Sequence, residues 1–277
     1  MTGVLSAELL KLRKRPATWL IVGIWLALNF TFAYLFPYLS YRTGSPTGPD
    51  GAAPPAQLLA EVLPANLVPN LLGGYPMFGG ALVLILGALM TGSEYGFGTM
   101  KTLLTQGPRR IEVLGGILGA LAVVVLVLGV ANFTLSAGAS SVIAATESAP
   151  GTFPPAAELA RGLASGWLIL GMWGLLGALA GIAFRGTALA VGLGLVWALV
   201  IENLIRGTAA LLDVFDTVQR VLPGVNAGSL VAALGAGRGA PGVAAVVGGT
   251  HAVVVLAGYL AGFILVAGLL LARRDVT

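Results

Sequence analysis

Long apolar runs alternate along this chain with short polar breaks. Runs over about 17–39, 71–91, 112–135, 158–183, 187–205 and 250–272 are each near the length that carries a helix across a hydrocarbon core of about 30 Å. The pattern predicts an all-α polytopic membrane protein with six spans in a single domain over residues 1–277. One run fits poorly. Apolar character from Ile111 to Ala145 amounts to roughly 50 Å of helix, so the small-residue tail 136–145 is expected to pass beyond the membrane or bend back.

The polar breaks differ in kind. Residues 1–15 set Leu5, Leu9 and Leu12 at helical spacing, with Lys11, Arg13, Lys14 and Arg15 around the other faces. That predicts an interfacial helix, leucines in lipid and charges on headgroups, before the chain restarts at Pro16. The first apolar run is too long for a signal-peptide core and lacks a small-x-small exit, so it reads as an uncleaved span. Trp19 and Tyr38 anchor its ends. Residues 41–70, rich in Pro and Gly, predict a loop with a short surface helix over 56–63. Residues 93–112, SEYGFGTMKTLLTQGPRRIE, hold an amphipathic stretch at 97–104. At about 100° per residue Phe97, Met100, Leu103 and Leu104 share a face that Lys101 flanks. Residues 146–155 read as a turn, and Phe184-Arg185-Gly186 as a tight turn. Residues 207–249 are too polar for another pair of spans. Leu211, Leu212, Phe215, Val218 and Leu222 form a stripe there, which predicts amphipathic or re-entrant helices at the outer surface.

Composition agrees with the pattern. Only 9% of residues are charged and mean hydropathy is +0.94, against about 25% charged in soluble domains. The net charge of +4 comes from basic residues at helix ends. Anionic lipid headgroups account for them, and no nucleic-acid partner is implied. Lys11, Arg13, Lys14, Arg15, Lys101, Arg109, Arg110, Arg185, Arg273 and Arg274 make ten on one side, against Arg42, Arg161, Arg206, Arg220 and Arg238, five, on the other. The positive-inside rule then puts both termini and residues 93–112 in the cytoplasm.

Candidate chemistry is sparse. With no Cys, no disulfide, iron–sulfur cluster or thiolate metal site can form. His251 is the sole histidine, which excludes an HExxH metal site. Residues 96–102 resemble a phosphate loop only superficially, because GxxxxGK[ST] needs Gly where Tyr95 and Met100 stand. No catalytic, metal or cofactor site is expected. Glu202, Asn203 and Arg206 near the outer end of the fifth span read either as a polar lining of a path or as an ion pair at i,i+4. Asn29, Asn132 and Thr134 lie inside spans and either join helices or line a path. Three GxxxG pairs (Gly115/Gly119, Gly177/Gly181, Gly258/Gly262) are no more than chance supplies in a chain with 41 Gly.

Several pieces together resemble the permease subunits of type-2 ABC exporters, in the drug, bacitracin and lantibiotic branch. Ala7-Glu8-Leu9-Leu10-Lys11 is similar to the "E-hydrophobic-x-K" opening before the first span. Residues 93–101 resemble the "E-x-x-x-G-T" signature after the second span, and Pro108-Arg109-Arg110 its Pro-x-Arg sequel. Val196-Trp197 with Glu202-Asn203-Leu204, Leu222-Pro223-Gly224, and Arg273-Arg274-Asp275 fit as well.

The resemblance implies an N-terminal elbow helix, six spans and outer re-entrant helices before the sixth. It also implies a cytoplasmic coupling helix in which Glu94, Phe97, Gly98, Thr99, Met100, Lys101, Leu103 and Leu104 engage an ATPase. A separate ABC ATPase subunit binding ATP and Mg, a second permease copy or homologue, and a bacterial cytoplasmic membrane are expected, with a hydrophobic or amphipathic substrate. Two other classes stay open: a secondary transporter, disfavoured because the charges avoid the midplane, and a non-transporting scaffold or immunity subunit.

Overall fold

The computed structural model describes residues 2–44, 54–99, 109–209, 211, 213–237 and 239–273. Among these every regular element is helical. Helix α1 is Thr2–Lys14, α2 Pro16–Thr43, α3 Pro55–Val62 and α4 Pro64–Gly96. They are followed by α5 (Arg110–Thr146), α6 (Ala156–Phe184), α7 (Thr187–Thr208), α8 (Asp213–Gln219), α9 (Pro223–Ala233) and α10 (Gly249–Arg273). Six of them, α2, α4, α5, α6, α7 and α10, are long and apolar enough to cross a membrane. The chain has the build of a multi-pass membrane protein.

Local chemistry explains the element ends. Pro16 and Pro223 open α2 and α9 in the first turn, where a missing N–H costs nothing. Glu112 opens α5 by accepting the Arg109 N–H at 3.1 Å. Arg185, at φ 52°, ends α6 in the left-handed region and turns the chain into α7, as the tight-turn reading expects.

Helices α4 and α6 form the centre. They approach backbone to backbone along Gly87, Gly177 and Gly181. A Cβ at Gly87 would collide with the Gly174 carbonyl, one at Gly177 with the Leu84 carbonyl, and one at Gly181 with the Thr91 hydroxyl. Of the three GxxxG pairs, Gly177/Gly181 is therefore the seam of the core, whereas Gly258 and Gly262 face open space. Gly79 and Gly80 clear room on the same helix for the buried indoles of Trp25 and Trp173. The most apolar stretches of α4, α5 and α6 are 67%, 50% and 56% buried, against 22%, 17% and 11% for α2, α7 and α10. The former trio is core; the latter present most of their apolar surface outward.

Several expectations need correction. The helix of the third span does not end near residue 135, and its tail does not bend back. It runs as one 37-residue helix, about 55 Å, with Ser136 and Ser140 fully buried in its extension. The second span begins well before residue 71, through a short 3-10 turn and a π-helical turn at Tyr75–Gly79. The surface helix lies at Pro55–Val62, close to the expected 56–63. In the 207–249 stretch, α8 is exposed or half-buried except at Gln219, whereas α9 is buried from Pro223 to Val231 apart from half-buried Gly224, so of the two expected forms, amphipathic or re-entrant, α9 is not the amphipathic one. Leu212 lies outside the described residues.

Helix α1 also differs from expectation. Leu5, Leu9 and Leu12 pack on the protein, Leu12 being buried and Val4 and Leu5 seated over Gly116 and Gly119 of α5, while Leu10 is exposed. Two of its flanking cations, Lys11 and Arg15, turn inward onto a carboxylate instead of outward to headgroups.

Candidate functional site

That carboxylate is Glu94. It sits in the last turn of α4, 2% exposed, where the helix C-terminus already carries partial negative charge. Three donors meet it. Lys11 Nζ lies 3.2 Å and Arg15 Nη2 3.1 Å from Oε1, and the Thr99 hydroxyl donates to Oε2 at 2.5 Å. Lys11 also pairs with Glu8 at 2.7 Å, itself 2% exposed, and Arg15 donates to the Leu89 carbonyl at 3.2 Å.

The local sequence dictates this geometry. Helix α4 ends at Gly96. Gly98 then takes φ 68°, a left-handed conformation that a Cβ would strain. The reversal swings Thr99 back over Glu94, which is the physical content of the spacing E-x-x-x-G-T. Phe97, between them, is 79% exposed. The amphipathic stretch starts here, but Met100, Lys101, Leu103 and Leu104 lie outside the described residues.

A second polar site lies at the far end of α7. Glu202 does not pair with Arg206, contrary to the ion-pair expectation. Arg206 donates to Asn203 Oδ1 at 2.5 Å, while Glu202 Oε2 accepts the Gly224 N–H at 2.7 Å and so caps α9. A Cβ at Gly224 would meet Oε2, so a larger residue there would displace this carboxylate. Glu202 is 3% exposed and its Oε1 makes no hydrogen bond. Together with Pro76, Met77, Ala198, Asn203 and Arg206 it lines a small recess.

The buried asparagines act elsewhere. Asn29 donates to Ser136 at 3.5 Å and Asn132 to the Tyr75 hydroxyl at 3.3 Å, tying α2 and α4 to α5. Both therefore join helices in this arrangement, and neither is among the residues lining the recess at Glu202. Thr134 bonds back to Val130 within α5.

Sequence reasoning missed one further cluster. Glu147, just past α5, accepts from Tyr38 at 2.7 Å, Arg42 at 2.9 Å and Tyr41 at 3.1 Å. The Tyr38 hydroxyl first, with Arg42 and Tyr41 behind it, holds this carboxyl below the usual carboxylate range against the opposing effect of burial. Tyr38, Tyr41 and Arg42 at helical spacing were the available signal, but no local rule names their partner.

No protein-family model matches the chain, and no curated protein matches it. The class that the fold defines is an all-helical, multi-pass membrane protein in which, among the described residues, a buried ion cluster at Glu94 and a buried carboxylate at Glu202 lie at separate places in the bundle.

Proposed function

We propose that the chain is the permease subunit of an ATP-driven ABC exporter, with α1 as its elbow helix and residues 97–104 as its coupling helix. One observation carries the reading. The two fragments that resemble the exporter family, Glu8-Leu9-Leu10-Lys11 and Glu94 to Thr99, are more than eighty residues apart yet meet in one ion-paired cluster. The cluster stands immediately before the proposed coupling helix. Through Lys11, Glu94 ties the base of that segment to α1, and α4 continues from it into the centre of the bundle.

The mechanism follows from that connection. A push on residues 97–104 by an ATPase dimer that closes on ATP acts on α1 and α4 together. The glycine seam carries it from α4 to α6, because backbones in direct contact leave no soft side chains to absorb it. The chain supplies the path and the lever; the ATPase supplies the free energy. Both termini and the ion cluster face the cytoplasm on this reading, in accord with the charge asymmetry. The cargo is hydrophobic or amphipathic, and a second permease copy or homologue completes the path.

Met100→Asp with Leu104→Asp tests the reading. Export should stop while the amount of chain in the membrane stays unchanged. Undiminished export by this double variant would contradict it.

A further inference from the structure

We infer that the junction of α1 and α2 seats one anionic phospholipid, with its phosphate at Arg13 and Lys14 and its acyl chains along the outer side of α2. The basic residues of this junction divide into two pairs. Lys11 and Arg15 turn inward to Glu94, whereas Arg13 and Lys14 are exposed and make no ion pair among the described residues. The two carboxylates of the junction, Glu8 and Glu94, are each 2% exposed and already paired, so neither balances the outer cations. Two adjacent cations without a counter-charge, set against an apolar span, match a ligand that is anionic at one end and apolar at the other.

Trp19 sets the height of the site. Its indole N–H donates to the Arg13 carbonyl at 2.8 Å, which pins a ring 61% exposed against the turn that presents the cations. Indoles favour the headgroup level of a bilayer, so Arg13 and Lys14 stand where phosphates lie. Below the indole, Leu20, Ile24 and Phe30 are exposed and Gly23 meets open space, all on the same side of α2 as Trp19 at helical spacing. From Trp19 to Phe30 the helix rises about 16 Å, against about 15 Å for the hydrocarbon of one leaflet. Cations, indole and apolar side therefore succeed one another in the order of the phosphate, glycerol and acyl chains of a single lipid. That order separates a seated lipid from the diffuse attraction that basic residues at any helix end exert. A second copy of the chain fits this face poorly. Two copies share one orientation in the bilayer, so a two-fold axis along this side of α2 would bring all four outer cations to one level. The inference does not rest on the exporter reading.

The test is native mass spectrometry of the purified full-length chain in non-ionic detergent, with equimolar phosphatidylglycerol and phosphatidylcholine of identical acyl chains. Each cation near a headgroup contributes about fivefold, so the first phosphatidylglycerol should bind about thirtyfold tighter than phosphatidylcholine, and one molecule should saturate the preference. Arg13→Gln with Lys14→Gln should reduce the preference to within about threefold of unity. Both side chains are exposed and lie outside the Glu94 cluster, so this variant should keep the wild-type fold. Arg109→Gln with Arg273→Gln removes the same charge from exposed positions at the same end of the bundle, where Arg110 joins α5 to the end of α10. That control should stay within about twofold of the wild-type preference. Equal affinity of the wild-type chain for the two lipids would overturn the inference. So would a preference that survives Arg13→Gln with Lys14→Gln, or one lost equally in the control. Complete oxidation of a Leu20→Cys chain to disulfide dimers in nanodiscs holding two copies would give the face to a second chain and overturn it as well.

Discussion

Replacing Glu94 with Gln keeps the shape of the side chain and one carbonyl acceptor but removes the charge that Lys11, Arg15 and Thr99 converge on. Each hydrogen bond to a charged group is worth about 1.5–3 kcal/mol net, and removing one partner of a buried pair costs about 3–5 kcal/mol. Two features reduce the figure here. Lys11 and Arg15 are 32% and 29% exposed, so water recovers part of their solvation. Lys11 also keeps Glu8, and Arg15 keeps the Leu89 carbonyl. A loss of about 2–3 kcal/mol is expected on this accounting. The assay is unfolding of the purified chain in mixed micelles of a non-ionic detergent and SDS, followed by tryptophan fluorescence, as a cycle with Arg15→Gln. The two changes should couple by about 1–2 kcal/mol, while the exposed Lys14→Gln couples with neither. Additivity of Glu94→Gln and Arg15→Gln within about 0.5 kcal/mol would refute the claim that the junction between α1 and α2 is tied to α4 through this carboxylate.

Three further outcomes can be checked directly. Gly177→Val should prevent α4 and α6 from docking and leave the chain aggregated on size-exclusion chromatography, whereas Gly258→Ala and Gly262→Ala, which meet open space, should elute as wild type. Glu147, held below the usual carboxylate range when folded, should stabilise the chain fully above the unfolded value of about 4.3 and lose that contribution as pH falls through its lower folded value. The difference in melting temperature between wild type and Glu147→Gln should accordingly shrink on acidification, and a constant difference would reject the clamp. In this Cys-free chain, Ser148→Cys should react with an impermeant thiol reagent added outside intact cells and Phe97→Cys should not, with the reverse pattern inverting the proposed orientation.

The six spans were legible because length and hydropathy are local properties. The end of the third span was not. Ser136 and Ser140 look like a polar, small-residue exit, yet both are buried, Ser136 against Asn29 of α2. Only the neighbour makes that continuation favourable. The ion cluster was half legible: its two fragments stood out as motifs, but an 83-residue separation between Lys11 and Glu94 carries no periodicity to read. Glycine spacing could not single out Gly177/Gly181, because what matters is the opposing Gly87. For Glu202 only the ion-pair alternative fails. An i,i+4 ion pair contributes only a few tenths of a kcal/mol, less than capping the buried N-terminus of α9 contributes, so the carboxylate turns to Gly224.

The central claim is that a separate ATPase drives this chain through residues 97–104. It is tested most directly by purifying the tagged chain from its native membranes and measuring Mg-ATP hydrolysis in the eluate. ATPase activity should co-elute with the wild-type chain and fall sharply with Met100→Asp and Leu104→Asp at equal yield of chain. A chain that elutes without ATP hydrolysis, from cells whose export persists after ATP depletion but stops when the proton gradient is collapsed, would contradict the account.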